Sequence, residues 1–178
     1  MRKLSKKNIK IGILGGTFDP PHIGHLHISK IALKKLKLNK LIWTITKKNP
    51  LKKKPYLKIK TRIKLSKKIT NKEKKIFVKY FENKIKSTTT FDLLNYIKKK
   101  QKKARLYFLI GADNLIKFHK WNNWKKIPGI AKIVVFPRNN HLIRKNKYIA
   151  LKTLKKKDLI YINSQKINIS SSLIRKFW

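Results

Sequence analysis

The feature that most constrains this chain is an apolar run that ends in two glycines and leads into a helical pattern. Ile9 to Leu14 is apolar apart from Lys10, which predicts a strand buried on both faces. Gly15-Gly16 follows at once, and Ile23 to Leu36 carries apolar residues at helical spacing. Two glycines let a backbone turn sharply and approach a ligand, and a helix start favours an anion. This order predicts a strand–turn–helix unit that binds an anion.

The same alternation continues to the end of the chain. Strands are predicted at 41–45, 76–78, 105–110, 132–136 and 159–162, and helices at 61–69, at 94–100 with Thr90 as cap, and at a final segment capped by Ser170 or Ser171. Residues 49–60 hold two prolines and many lysines and are predicted to form a loop. We therefore expect an α/β fold, a parallel sheet with helices on both faces, in a single domain of residues 1–178. Ligands in such folds bind outside the carboxyl ends of the strands.

Composition excludes several classes of protein. The 178-residue chain has no cysteine, so a disulfide, a thiolate nucleophile or a cysteine zinc site is excluded. No apolar run approaches the roughly 20 residues of a membrane helix. The basic start leads into a run too short for a signal peptide. We expect a soluble cytoplasmic protein with no membrane partner.

The charge is extreme, with 49 Lys+Arg against 6 Asp+Glu and a formal net charge of +43. It indicates either a nucleic-acid binder or a drift of the whole proteome toward lysine. The lysines are spread along the chain instead of forming one block, which favours drift. Either origin predicts nonspecific binding to polyanions.

The segment from Gly15 to His25 holds the groups suited to phosphoryl transfer. His22 and His25 are three residues apart and share one face of the first helical turn. Their imidazoles can donate hydrogen bonds to phosphate oxygens, and Thr17 adds a hydroxyl. The alternatives are a tight turn with two partly exposed histidines, or a metal-binding pair. Phosphoryl transfer depends mostly on positioning and charge stabilisation, which these groups supply.

Several motifs resemble one family in their order along the chain. Gly16-Thr17-Phe18-Asp19 followed by His22-Ile23-Gly24-His25 resembles the signature of the HxGH nucleotidyltransferase superfamily. The extended form with Asp-Pro-Pro-His is similar to the bacterial nicotinate-nucleotide adenylyltransferases. Later segments match that family as well: Asn49 to Lys52 with Arg62, Thr88 to Leu94, Gly111 to Leu115, Trp121 with Trp124, and Ile169 to Arg175. Thr89 and Leu93 stand where the family usually has Tyr and Thr.

The resemblance implies a Rossmann-like nucleotidyltransferase fold and a two-part site. His22, His25 and Thr17 would be catalytic. ATP would contact Gly15, Gly16, Thr17, Phe18, His22, Gly24, His25, Gly111, Asp113, Ser171 and Arg175. The second substrate would contact Asn49, Lys52, Thr90, Asp92 and Trp121. Mg²⁺ would enter with ATP, and no protein metal ligand is expected.

Several of these residues also have ordinary structural interpretations. Asp19 could orient the loop or a metal, or serve a turn or helix start. Asp113 could cap a helix, and Asp92 is an acid favoured in a first helical turn. Arg175 could be a solvated arginine, and Trp121 a core residue.

The predicted activity is transfer of the adenylyl group of ATP to nicotinate mononucleotide, which forms deamido-NAD and pyrophosphate in NAD biosynthesis. One alternative is a sister adenylyltransferase acting on nicotinamide mononucleotide, phosphopantetheine or, with CTP, another acceptor. Another is a degenerate fold that serves as a basic RNA-binding module. The intact Thr17, His22, Gly24 and His25 argue against the last.

Overall fold

The computed structural model describes residues 9–49, 51, 53–136, 149–164 and 168–178. Their strands form one six-stranded sheet in the order β3-β2-β1-β4-β5-β6, and every neighbouring pair is parallel. The strands are β1 Lys10–Gly16, β2 Lys40–Ile45, β3 Ile76–Lys79, β4 Arg105–Gly111, β5 Ala131–Phe136 and β6 Leu159–Tyr161. The predicted Rossmann-like parallel sheet is confirmed.

Helices connect the strands; the first, second, fourth and last of the described α-helices lie at or near the predicted positions, and the other three were not predicted. The α-helices are α1 Ile23–Lys35, α2 Ile59–Thr70, α3 Glu82–Ile85, α4 Thr90–Lys100, α5 Ala112–Ile116, α6 Ile149–Thr153 and α7 Ser171–Ile174. Short 3-10 helices cover Phe118–Lys120, Trp124–Gly129, Lys156–Asp158 and Arg175–Phe177. The single final helix predicted after the serines is thus one α-helical turn continued by a 3-10 turn. No helix among the described residues is both long and apolar enough to cross a membrane.

The sheet is covered on both faces. Ile11 and Ile13 of β1 lie in a core with Leu94 and Ile97 of α4. The opposite face of the sheet packs a second core that includes Trp43 of β2 and Ala32 of α1. Because β1 is central and contributes to both cores, its run of apolar residues has no solvated side, as the sequence predicts.

The strand order reverses next to β1. The chain moves outward from β1 through β2 and β3, then returns to the other side of β1 for β4, β5 and β6. The connections that leave the carboxyl ends of β1 and β4 therefore diverge to opposite faces, and a crevice forms between them. The segment that follows Gly16 begins at this crevice.

Candidate active site

The turn after β1 is made at Phe18 and not at the glycines. Gly15 and Gly16 still pair with β2, and no described glycine has a positive φ, whereas Phe18 has φ 49°. A bulky residue seldom adopts this left-handed conformation. Burial compensates, because the Phe18 ring is 2% exposed and stacks on Trp43 with 4.8 Å between centroids. The prediction that the glycines make the turn is therefore wrong; without side chains, they leave the end of β1 open.

His22 and His25 form a reciprocal cap at the start of α1. The backbone N–H of Gly24 donates to Nδ1 of His22 (3.2 Å), and the N–H of His22 donates to Nδ1 of His25 (3.3 Å). Each Nδ1 is thus an acceptor, which assigns the proton of each neutral imidazole to Nε2. The two rings lie 3.9 Å apart between centroids, and His22 is 8% exposed while His25 is half-buried. The pair therefore has a structural task in addition to its predicted catalytic one.

Gly24 provides the space for this cap. A Cβ atom there would lie 2.9 Å from Nδ1 of His22 and 3.3 Å from Cγ2 of Ile169. The first of these is closer than side-chain carbons ordinarily approach. A side chain at position 24 would therefore displace the His22 ring or α1, so Gly24 serves the geometry of the histidines.

Asp19 anchors a neighbouring loop. It is 4% exposed, and its two carboxylate oxygens accept the backbone N–H groups of Tyr56 and Leu57, both at 2.9 Å. Its Oδ2 also lies 3.7 Å from Nη1 of Arg175. Of the roles predicted for Asp19, the structure therefore supports orientation of the loop, since both oxygens already have partners.

The C-terminal motif packs onto the segment after β1 that contains Asp19 and Pro20. The Ser170 hydroxyl accepts from Leu173 N (3.1 Å) and caps α7, which settles the choice between the two serines. The Ser171 hydroxyl donates to the carbonyl of Pro20 (2.8 Å). Arg175 donates to the Asp19 carbonyl, and its guanidinium lies 5.1 Å from the Tyr56 ring. Arg175 is thus a partner of Asp19 and not a solvated side chain.

A shallow recess opens beside β1, between the end of β2 and the start of α4. It is lined by Thr44, Ile45, Thr46, Phe81, Glu82, Ile85, Ser87, Thr88, Thr89, Thr90 and Leu93. A Cβ at Gly15 would lie 3.4 Å from Oγ1 of Thr44, so the recess adjoins the end of β1. Thr90, predicted to contact the second substrate, faces it, and five other hydroxyl-bearing residues share the wall.

The start of α4 shows that the predicted cap was one residue off, and it shows why Leu93 can stand where the family usually has Thr. Thr89, not Thr90, is the cap, since its Oγ1 accepts from Asp92 N (3.2 Å). Asp92 accepts hydrogen bonds from the hydroxyls of Ser87 (2.6 Å) and Thr89 (2.8 Å). These bonds hold the pKa of Asp92 below its ordinary value. Asp92 therefore stabilises the wall of the recess, and Leu93 is 8% exposed in the core.

The remaining predicted contacts lie around the ends of β2 and β4. Gly111 ends β4 and occupies the N-cap position of α5, so Asp113 in the first turn is not the cap. Trp121 is half-buried, with its ring 5.2 Å from Phe118 and 6.0 Å from Phe108 between centroids, and so packs on the core. Oδ1 of Asn49 accepts from the N–H of Leu51. Lys52 lies outside the described residues.

Two polar residues at the site have no role in the sequence analysis. Arg62 is 2% exposed and donates to the Thr17 carbonyl (2.6 Å). Glu82 lines the recess, and its Oε1 accepts from Lys47 N (3.0 Å). Burial raises the pKa of Glu82 above its ordinary value. Its rarity, as one of 6 acids, was the signal that could have drawn attention to it.

Among the described residues, no group of three or more His, Cys, Asp or Glu side chains is placed to bind a metal ion. Magnesium often retains waters and binds through substrate phosphates instead of a protein cage.

The sheet order and a phosphate-suited helix start at its switch point define the class of protein, an α/β nucleotidyltransferase. A family model described as cytidylyltransferase-like matches residues 13–177. The probable nicotinate-nucleotide adenylyltransferase of Pelagibacter ubique is 49% identical over 173 residues, 97% of this chain and 96% of that protein. A protein of the same description from Aliarcobacter butzleri is 35% identical, with 94% and 86% covered.

Solved structures agree with the sequence relatives. The nicotinic acid mononucleotide adenylyltransferase of Plasmodium falciparum, complexed with NaAD, is 26% identical and covers 95% of this chain and 83% of that one, with a TM-score of 0.75. Its complex with APC gives a TM-score of 0.74. The chain therefore belongs to the nicotinate-nucleotide adenylyltransferase family, within the cytidylyltransferase-like proteins.

Proposed function

We propose that the protein transfers the adenylyl group of ATP to nicotinate mononucleotide and releases deamido-NAD and pyrophosphate, a step of NAD synthesis. The observation that carries this proposal is the capped histidine pair at the open end of β1, beside a hydroxyl-lined recess. One feature suits the phosphates of ATP, and the other suits a second, smaller substrate. The names of the relatives support the same pairing of substrates.

On the ATP side, the phosphates lie over the start of α1. An oxygen of the mononucleotide phosphate attacks the α-phosphorus of ATP, the bond to the bridging oxygen of the β-phosphate breaks, and pyrophosphate leaves with those electrons. His25 and His22 donate Nε2–H groups to phosphate oxygens as charge moves onto the leaving group. Thr17, Gly111, Asp113, Ser171 and Arg175 complete the proposed ATP contacts.

On the acceptor side, the nicotinate ring enters the recess. The N–H groups of Thr90 and Phe91 in the first turn of α4 have no partners within the helix, and we assign them as donors to the ring carboxylate. The hydroxyls of Thr88 and Thr90 offer further donors, whereas those of Thr44, Ser87 and Thr89 already donate within the protein. Asn49, Lys52 and Trp121 remain proposed contacts around this pocket, with Asp92 supporting its wall.

Magnesium enters as part of the MgATP substrate, where it offsets the charge of the phosphates. We further propose that residues 1–178 form a single domain, that the protein is cytoplasmic, and that its net charge of +43 gives it nonspecific affinity for polyanions.

The test is pyrophosphate release by the purified protein with ATP, Mg²⁺ and one acceptor at a time. We expect rapid turnover with nicotinate mononucleotide and little with phosphopantetheine. Faster turnover with phosphopantetheine would contradict the proposal. Preference for nicotinamide mononucleotide would retain the reaction and change the acceptor.

A further inference from the structure

Arg62 is a buried cation that binds backbone carbonyls. Its side chain is almost fully enclosed, with 2% of the residue exposed. Nε donates to the carbonyl of Leu57 (3.0 Å), Nη1 to those of Thr17 (2.6 Å) and Thr46 (2.7 Å), and Nη2 to that of Lys47 (3.1 Å). One guanidinium therefore holds four carbonyl groups, each at hydrogen-bonding distance.

These carbonyls belong to both halves of the proposed site. Thr17 follows β1 and lies in the segment assigned to ATP. Thr46 and Lys47 follow β2, and Thr46 lines the recess assigned to the acceptor. Leu57 lies just before α2. Arg62 on α2 thus connects three chain segments, one of them in the proposed ATP half of the site and one in the proposed acceptor half.

Two acids bind backbone N–H groups of the same segments. The carboxylate of Asp19 accepts the N–H groups of Tyr56 and Leu57, and Glu82 accepts that of Lys47. Burial lowers the pKa of Arg62, and the charges of Asp19 and Glu82 oppose that effect. The buried charge is therefore compensated by nearby acids, while the planar N–H groups remain engaged with the backbone.

We propose that Arg62 is a positioning residue that sets the distance between the α-phosphorus of ATP and the phosphate of the acceptor. The inference rests on the proposed function for the identity of the two substrates. A guanidinium presents donors in a rigid fork, whereas a lysine ammonium is a point charge on a flexible stem. Lysine at position 62 would keep the charge and release some of the carbonyls, so the segments could shift relative to each other.

The experiment compares Arg62→Lys with Arg105→Lys, the same change at the exposed start of β4. A misplacement of about 1 Å can cost on the order of 100-fold in rate. We expect kcat of Arg62→Lys to fall by roughly that factor, while the Kd for ATP alone changes by less than about 3-fold. Arg105→Lys should retain the kcat of the unchanged protein. Both are assayed at a temperature where circular dichroism shows a folded protein.

Hydrogen exchange supplies a readout that needs no substrate. Arg62→Lys should speed exchange at the amides of Lys47, Tyr56 and Leu57, because the carbonyl anchors beside them are loosened, while the amides of β1 stay protected. Unchanged exchange at these positions, or an unchanged kcat in the folded variant, overturns the proposal. If protection is lost throughout the protein and kcat falls only in proportion to the folded fraction, Arg62 is a purely structural residue. That outcome also overturns the proposal.

Two further controls separate the possible failures. The assay uses whichever acceptor the unchanged protein adenylates fastest, so a preference for phosphopantetheine contradicts the proposed function but still tests Arg62. If Arg62→Lys does not fold, Arg62→Gln tests the same connection, because its amide can donate to only some of the four carbonyls. A lower kcat with an unchanged Kd for ATP supports positioning, and an unchanged kcat overturns it.

Discussion

At the residue scale, His22 and His25 combine a structural and a chemical task. Each Nδ1 accepts a backbone N–H at the start of α1, and each Nε2 carries the proton of the neutral ring. Protonation of Nδ1 would place a donor against a donor, so the cap favours the tautomer that can donate from Nε2. The cap therefore prepares the donors that the proposed reaction uses.

His25→Ala should lower kcat by at least about 100-fold, in the range observed when one donor to a transition state is lost. His25→Asn is the matched control, because an amide oxygen can replace Nδ1 as acceptor but leaves no donor at the position of Nε2. We expect the melting temperature of His25→Asn to remain near that of the unchanged protein while kcat stays low. Turnover near normal in either variant would remove His25 from its assigned role.

Asp92 gives a pH dependence whose sign follows from its hydrogen bonds. The Ser87 and Thr89 hydroxyls hold its pKa below the ordinary 3.8, so its ionised form stabilises the fold above that pH. As the pH falls through the lowered pKa of the folded state, this contribution disappears. Asp92→Asn should therefore be less stable than the unchanged protein at pH 7, by about 1 kcal/mol.

Urea unfolding at a series of pH values measures this difference. The gap between the two proteins should be constant from pH 7 to about 5 and should shrink as the pH falls below 3.8 toward the lowered pKa of Asp92. A gap that does not depend on pH would mean that the charge of Asp92 contributes nothing.

At the element scale, the active-site segments are positioned by residues from other elements. The 53–58 segment has little regular structure, and Asp19, from the turn after β1, fixes two of its N–H groups. α7 lies on the same turn through Ser171 and Arg175. Asp19 is therefore the point at which the loop after β2, the turn after β1 and the C-terminal motif meet.

Asp19→Asn should loosen the 53–58 segment, because an amide offers one acceptor oxygen where the carboxylate offers two. The unfolding free energy should fall by about 1–3 kcal/mol, the cost of leaving a buried donor unsatisfied. Trypsin should then cleave after Lys53 and Lys58 faster under native conditions, as measured by mass spectrometry. Asp158→Asn, at the distant 3-10 turn before β6, is the control and should not change cleavage there.

At the scale of the whole molecule, the charge opposes compactness. With a net charge of +43 on 178 residues, repulsion among the cations favours the expanded chain at low salt. Ion pairs within the described residues include Lys30–Glu73 and Arg175–Asp19, which offset little of it. Folding must therefore depend on the two apolar cores on either side of the sheet.

The melting temperature should therefore rise as KCl increases from about 0.05 to 0.5 M, since the screening length falls from more than 10 Å to less than 8 Å over this range. Binding to heparin should weaken over the same range, with a log–log slope that counts the cations engaged. A melting temperature that falls with salt would mean that favourable ion pairs outweigh the repulsion.

The order of the strands and of the longer helices was predictable from the sequence, and the substrate contacts remain predictions. Apolar runs such as 105–110 mark central strands because both of their faces are covered, and this is a local property. The sequence did not reveal the contacts between distant segments. Arg62 matched the family by its position in the sequence, but no local pattern distinguishes a buried guanidinium from the many solvated lysines or indicates its four carbonyl partners.

What the sequence by itself determined is the parallel α/β fold and the presence of the histidine pair at the first strand–helix connection. Spacing and periodicity specify these features, because they depend on neighbours within a few residues. Only the tertiary structure decided that Phe18 makes the turn and that Arg62 joins the two halves of the site. These depend on which distant groups satisfy each buried donor and acceptor, and that pairing exists only once the chain is folded.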